Sequence, residues 1–186
     1  MKRVLSLILV LSALLAGCQS DQYIDRAMAL RKKLLAGNGC SFTTVISADY
    51  GDKIFQFTMD CTADSDGKIS FVVTKPETIA GISGQISGEE GKLLFDEQVL
   101  SFDLLTDGLV TPVSAPWLLL RTLRGGYIEA GGKDNDLYLF QIDDSYEENP
   151  LRLDVWLNED GLPVNADIIW DGRRVVSLSV DNFRLL

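Results

Sequence analysis

The side chains with the most distinctive chemistry are three cysteine thiols, Cys18, Cys40 and Cys61, in a chain of 186 residues that contains no histidine. A thiol can be alkylated, oxidised to a disulfide or bound to a metal. Without histidine, a Ser-His-Asp triad, a Cys-His dyad and a histidine-based metal site are impossible. The carboxylates show no spacing that singles out an acid–base pair. We therefore expect no catalytic residue, no cofactor and no metal.

Cys18 ends an N-terminal segment with the features of a secretory signal. Lys2 and Arg3 precede an apolar run from Val4 to Leu15, and small residues follow it. A membrane-spanning helix needs about 20 apolar residues, so this run is too short to be one. The ending Leu-Ala-Gly-Cys resembles the bacterial lipobox, in which the cysteine is alkylated with diacylglycerol and becomes the first mature residue. We expect a signal peptide over 1–17 and one domain over 18–186. The alternative is an ordinary signal peptide that ends near a cysteine.

Charge excludes one class of partner. Loss of Lys2 and Arg3 with the signal peptide changes the formal net charge from −10 to −12. A chain this acidic does not attract nucleic acid through its general field, and anionic lipid headgroups repel it. A diacyl anchor on Cys18 must therefore hold it at the cell membrane or outer membrane, on the extracytoplasmic side.

Cys40 and Cys61 lie on two segments that alternate apolar and polar residues around Tyr50-Gly51, which is typical of a hairpin with one buried face. If those two residues form the turn, Cys40 is opposite Cys61 in a non-hydrogen-bonded pair. Such pairs have Cα atoms about 4.5 Å apart, within reach of a disulfide. We predict a Cys40–Cys61 bridge. The alternative is two reduced, buried thiols.

The elements that position these residues are mostly strands. Helical spacing predicts a helix over 21–35 and an almost wholly apolar helix over 114–124. Close turn signals predict about eleven strands. The fold class is mostly β (α+β), with one meandering, curled antiparallel sheet forming an open barrel. The N-terminal and central helices plug its concave face.

Apolar side chains on that concave face are the remaining candidate site. They form either a fully packed core or the lining of a cavity for an acyl chain. The candidate lining residues are Phe42, Ile46, Phe55, Phe57, Met59, Phe71, Trp117 and Leu120.

The order of these elements, with the strand end Phe71-Val-Val-Thr-Lys75-Pro76-Glu-Thr-Ile-Ala-Gly81, resembles the lipoprotein-localisation superfamily of LolA, LolB and LppX. The resemblance implies an open barrel of about eleven strands with helices on its concave side. Cys18 departs from the soluble carrier, and Asp103–Val113 shows no counterpart of the acceptor's exposed apolar loop. The chain looks more like anchored lipoproteins, including the Gram-positive germination-lipoprotein (GerS-like) branch. Gln19 implies the outer membrane if the envelope is Gram-negative.

We therefore predict a non-enzymatic lipoprotein, bound to the lipid membrane through Cys18, that holds an acyl chain or a lipoprotein ligand. The alternative is a protein-interaction module that positions or activates an envelope enzyme, as the resemblance to the germination branch implies. Trp156 and Ile169, on the polar side of their strands, are its candidate contacts.

Overall fold

The computed structural model describes residues 19–51, 53–88, 90–95, 98–103, 105–106, 109–146 and 150–186. The predicted signal peptide over 1–17 and the predicted lipidation site Cys18 lie outside the described residues. Helix α1 (Gln19–Ala36) comes first. The strands of the first half of the sheet follow it: β1 (Gly39–Asp49), β2 (Ile54–Asp64), β3 (Ile69–Lys75), β4 (Ser83–Ser87), β5 (Glu90–Phe95) and β6 (Gln98–Asp103).

The second half of the chain begins with a short two-stranded ladder, β7 (Leu105–Thr106) and β8 (Leu109–Val110). A 3-10 turn (Pro112–Ser114) then leads into helix α2 (Ala115–Gly125). The chain closes with β9 (Tyr127–Asp134), β10 (Leu137–Asp143), β11 (Arg152–Leu157), β12 (Pro163–Trp170) and β13 (Arg173–Leu185). Both predicted helices are confirmed to within two residues at each end.

Eleven strands form one antiparallel sheet in the order β6-β5-β4-β3-β2-β1-β13-β12-β11-β10-β9. The sheet is curled and not closed, and it carries the two helices, as predicted. The expectation of one continuous meander is wrong at one point, because β1 pairs with β13. The first and last strands therefore lie side by side in the middle of the sheet, and its free edges are β6 and β9.

The predicted register of the first hairpin is wrong by two residues. Asp49 pairs with Ile54, so the connection has four residues, and Cys61 lies opposite Phe42 while Cys40 lies opposite Ala63. Cys40 and Cys61 are thus diagonal neighbours, whose Cα atoms are typically about 7–8 Å apart, beyond the range of a disulfide. Both cysteines are free and buried in this structure.

Three hydrogen bonds hold the loop between β1 and β2. The amide of Tyr50 donates to the carbonyl of Lys53 at 3.0 Å. Gly51 has φ of +91° and donates its amide to Asp49 Oδ1 at 2.8 Å. The Tyr50 hydroxyl reaches across to donate to the carbonyl of Val110 at 2.8 Å. One contact with a residue outside the hairpin, Val110, therefore accompanies the longer loop.

The core lies between the concave face of the sheet and the two helices. From α1, Ala27, Leu30 and Leu34 are buried against it. From α2, every residue from Ala115 to Leu123 except Arg121 is buried. A helix with apolar residues on most sides has to be enclosed, and the concave face is the surface that encloses it.

Candidate functional site

The concave face brings the predicted lining residues together. Alternation places the inward side chains of β1, β2 and β3 on one surface, opposite the apolar side of α2. Seven of the eight are at most 8% exposed: Phe42, Ile46, Phe57, Met59, Phe71, Trp117 and Leu120. Phe55 is 48% exposed, because it lies beside the hairpin loop, in edge contact with Tyr50 at 6.1 Å between ring centroids.

This space is filled by α2. Of the four cavities described here, one is lined by Phe71 and another by Trp117. The predicted lining residues other than Phe55 belong to the buried hydrophobic core, to which α2 contributes. An acyl chain could occupy it only if α2 moved away from the sheet.

The apolar lining continues beyond the helices to the open edge of the sheet. Cys61, Phe71, Gly84, Leu93 and Leu100 lie side by side in register across β2 to β6. Burial decreases along this row until Leu100, on the edge strand, is 57% exposed. Leu93 and Leu100 were not among the predicted lining residues. Alternation could not have identified them, because each has an apolar neighbour on the opposite face, Leu94 and Val99, and only the strand pairing places them in this row.

Two glycines allow aromatic rings to lie flat on this face. A Cβ at Gly84 would lie 2.5 Å from the ring of Phe71 and 2.6 Å from the carbonyl oxygen of Lys92. A Cβ at Gly91 would lie 2.1 Å from the ring of Phe102. Since heavy atoms do not approach this closely, only glycine permits these rings to cover the strands.

Helices α1 and α2 are joined by two reciprocal arginine contacts. Arg31 of α1 donates from Nε to the carbonyl of Leu123 at 2.8 Å and from Nη2 to that of Gly126 at 2.7 Å. Arg124 of α2 donates from Nη1 to the carbonyl of Leu34 at 3.3 Å. Each guanidinium thus satisfies carbonyls at the C-terminal end of the other helix, where a cation also complements the helix dipole. Burial lowers the pKa of Arg31.

The thiols of Cys40 and Cys61 face the core between α2 and the sheet. Burial raises the pKa of Cys40 to about 11, although the nearby charge of Arg124 lowers it. Burial also raises the pKa of Cys61, and the negative charge of Asp60 and the Cys40 thiol add to the effect. Protonated, enclosed thiols are poor nucleophiles and poor metal ligands.

Three of the cavities described lie on the convex face. The largest of these three, about 510 Å³, lies over β2 to β6, where the exposed side chains of Val72, Leu94 and Val99 lie in one row. A groove of about 340 Å³ includes Trp156, whose Nε1 donates to Asp134 Oδ2 at 2.8 Å. Ile169 borders a separate cavity of about 400 Å³. The two contacts predicted for a protein partner therefore do not share one surface cavity.

Neither a metal cluster nor a membrane-spanning segment is found where the structure describes the chain. No group of three or more cysteine, aspartate or glutamate side chains there is placed to hold a metal ion. No helix within the same residues is long and apolar enough to cross a membrane.

Comparison with known proteins finds similarity at the level of structure. No protein-family model and no curated protein sequence matches the chain. Solved structures similar to it include a LolA superfamily protein from Nitrosomonas europaea, at 8% identity, TM-score 0.46, and coverage of 86% of this chain and 93% of that one. They also include the lipoprotein LppX from Mycobacterium tuberculosis, at 11% identity, TM-score 0.42, and coverage of 87% of this chain and 93% of that one. LprF from Mycobacterium bovis is similar at 11% identity, TM-score 0.45, and coverage of 88% of this chain and 93% of that one. Members of the superfamily that the sequence resembles are thus among its structural neighbours.

Proposed function

We propose that this protein is a lipid-anchored, extracytoplasmic lipoprotein whose curled sheet binds a lipid, or the acyl chains of a lipidated cargo, against its concave face. The observation that carries the proposal is the apolar lining, which runs from the buried centre of the sheet to its free edge at Leu100. A core that only stabilises the fold has no need to extend to an open edge. An apolar surface that does so offers a hydrocarbon chain a place to enter.

Helix α2 is the element that would move. It presents almost only apolar side chains to the sheet, so an acyl chain could replace its contacts with contacts of the same kind. Each methylene of such a chain gains about 0.8 kcal/mol on burial, so a long chain can offset the displacement of the helix.

One buried polar group supports a second packing of α2. The hydroxyl of Thr122 is fully buried, and no atom of the described residues accepts or donates a hydrogen bond to it. A buried polar group without a partner typically costs about 1–3 kcal/mol. A conformation in which α2 has moved, or an oxygen of a bound ester or carboxyl group, would relieve that cost.

The place of the anchor agrees with a membrane-bound role. Helix α1 includes Gln19, the first described residue, which directly follows the residue proposed to carry the lipid. The anchor therefore has no linker, and the barrel would be held close to the bilayer surface. An acyl chain would have only a short distance to travel between the membrane and the concave face.

Fluorescence quenching by a brominated fatty acid tests where the chain binds. The protein has three tryptophans, so two single-tryptophan versions of the mature domain are informative. Trp156→Phe with Trp170→Phe leaves Trp117 beside the concave face. The matched control, Trp117→Phe with Trp170→Phe, leaves Trp156 on the convex face. We expect saturable quenching of Trp117 and little quenching of Trp156.

Native mass spectrometry of the mature domain from its own host provides the second measurement. Lipid adducts that dissociate only on unfolding would support the proposal. Equal quenching of Trp117 and Trp156, or no quenching together with a lipid-free mass, would refute it. Recovery of one envelope enzyme in place of lipid would favour the alternative of a protein-interaction module.

A further inference from the structure

A cavity of about 330 Å³ lies where the C-terminal end of α2 meets the β2–β3 and β4–β5 turns. Of the residues predicted for the apolar site, Trp117 is the one that also lines this cavity. Its lining residues are Asp66, Gly67, Lys68, Ser87, Gly88, Trp117, Arg121, Arg124 and Gly125.

The charge of this cavity is opposite to that of the chain. Lys68, Arg121 and Arg124 line it together with a single carboxylate, that of Asp66, although the whole chain carries a formal charge of −10. In the described residues, none of the three cations lies within 4.0 Å of a carboxylate oxygen. Cations gathered without a matching number of carboxylates produce a local positive potential in a concave surface, where field lines are focused.

The two arginines are held differently. Arg124 is fixed, because its Nη2 donates to the carbonyl of Ser65 at 2.7 Å and its Nη1 to that of Leu34. Its Nε lies against Gly67, where an added Cβ would be 3.7 Å away. Arg121 is exposed and lies over the ring of Trp117, with Cζ 5.3 Å from the centroid. Its guanidinium donors are not used by any described residue, so they are available to a ligand.

Glycines keep the cavity open. A Cβ at Gly88 or at Gly125 would have no heavy atom within 4 Å, so both positions border free space. Trp117 separates this space from the apolar interior, being 8% exposed and part of the core. A charged group held at the arginines would therefore lie next to the interior in which we propose that hydrocarbon binds.

We propose that this cavity binds an anionic phosphate group, with Arg121 and Lys68 as the direct ligands and Arg124, held by Ser65 and Leu34 in this packing of α2, as a further positive charge behind them. Guanidinium groups match phosphate oxygens in geometry and charge. The inference that this phosphate belongs to a lipid rests on the proposed function. The headgroup would then bind at the cationic cavity while the acyl chains lie beyond Trp117. A free phosphate would satisfy the same chemistry.

The test compares three soluble probes by isothermal titration calorimetry at low ionic strength, where exposed charges are least screened. The probes are dihexanoyl phosphatidylglycerol, zwitterionic dihexanoyl phosphatidylcholine and inorganic phosphate. The variant Lys68→Gln with Arg121→Gln removes the two cations that make no described hydrogen bond through their side chains, so the fold should persist. The control Lys133→Gln with Arg184→Gln changes the net charge equally at exposed positions on other strands.

We expect phosphatidylglycerol to bind more tightly than phosphatidylcholine, and the Lys68/Arg121 variant to lose about 10-fold in affinity for it, while the control loses less than about 2-fold. Binding of inorganic phosphate with the same dependence on Lys68 and Arg121 would identify the site as one for free phosphate as well. Equal affinity for both lipids, or equal losses in variant and control, would overturn the headgroup site.

These results separate the two proposals. Phosphate binding, with no quenching of Trp117 by acyl chains and a lipid-free native mass, would keep the anion site and refute the proposed function. Quenching of Trp117 together with equal affinity for the two lipids would keep the proposed function and overturn the headgroup site.

Discussion

Replacement of Arg31 tests how α2 is held against α1. Arg31→Ala removes hydrogen bonds to the carbonyls of Leu123 and Gly126, at 2.8 and 2.7 Å, and a longer one to Thr122 at 3.4 Å. A hydrogen bond to a charged group contributes about 1.5–3 kcal/mol when buried, and these are partly open to water. We therefore expect the free energy of unfolding to fall by about 2–3 kcal/mol, and Tm by about 5–10 °C for a domain of this size.

Urea denaturation followed by circular dichroism measures this change. Arg31→Lys should recover about half of the loss, because an ammonium group keeps the charge at the helix end but cannot reproduce the planar fork. Lys32→Ala on the neighbouring, exposed position is the matched control, and it should change stability by less than about 0.5 kcal/mol. Equal free energies of unfolding for Arg31→Ala and Lys32→Ala would show that Arg31 does not hold α2 against α1.

The same variant bears on the proposed function. If α2 must leave the sheet to admit a chain, releasing its C-terminal end should increase the rate at which a brominated fatty acid quenches Trp117. Arg31→Ala should then bind the chain faster than Lys32→Ala does. Equal rates in the two variants would show that Arg31 does not restrain the opening movement.

Thiol labelling after unfolding without reductant should find Cys40 and Cys61 free. Because the pKa values of these thiols are raised in the native state, the thiols of the unfolded chain ionise first as the pH rises above about 9. The free energy of unfolding should therefore fall there by up to about 1.4 kcal/mol per pH unit for each thiol. A urea series from pH 8 to 10 should show this fall, and the double Cys→Ala variant should lack it. Gly84→Ala should lower stability by about 1–3 kcal/mol in thermal melts, since its Cβ would lie 2.6 Å from a backbone oxygen, whereas Gly132→Ala, with no atom within 4 Å, should not. Cys18→Ala should move the protein from the membrane fraction to the soluble fraction and abolish labelling with radioactive palmitate; persistent membrane binding would exclude a lipid anchor at this residue.

Alternation and periodicity determined much of the fold. Leu151, Leu153, Val155 and Leu157 alternate in the sequence and are all buried in the structure. Both helices were predictable from their apolar spacing and their turn residues. Each of these features depends on neighbours a few residues away, so the physical cause lies within the segment itself.

The pairing of strands was not determined in this way. A register shifted by two residues keeps every side chain of a strand on the same face, so the alternation fits both the predicted pairing of Cys40 with Cys61 and the observed pairing of Cys61 with Phe42. The contact of Tyr50 with Val110, 60 residues further along the chain, accompanies the observed loop. The pairing of β1 with β13 is likewise a contact between the two ends of the domain.

The sequence by itself determined which side chains face the interior, that histidine chemistry is absent, and that a lipobox-like cysteine precedes the first helix. Only the tertiary structure decided that β1 pairs with β13, that Arg31 and Arg124 join the two helices, and that Lys68 and Arg121 border one cavity. The physical reason is separation along the chain. Composition and periodicity record what each segment needs to bury, whereas a site made of distant residues exists only once loops and helices have placed them together.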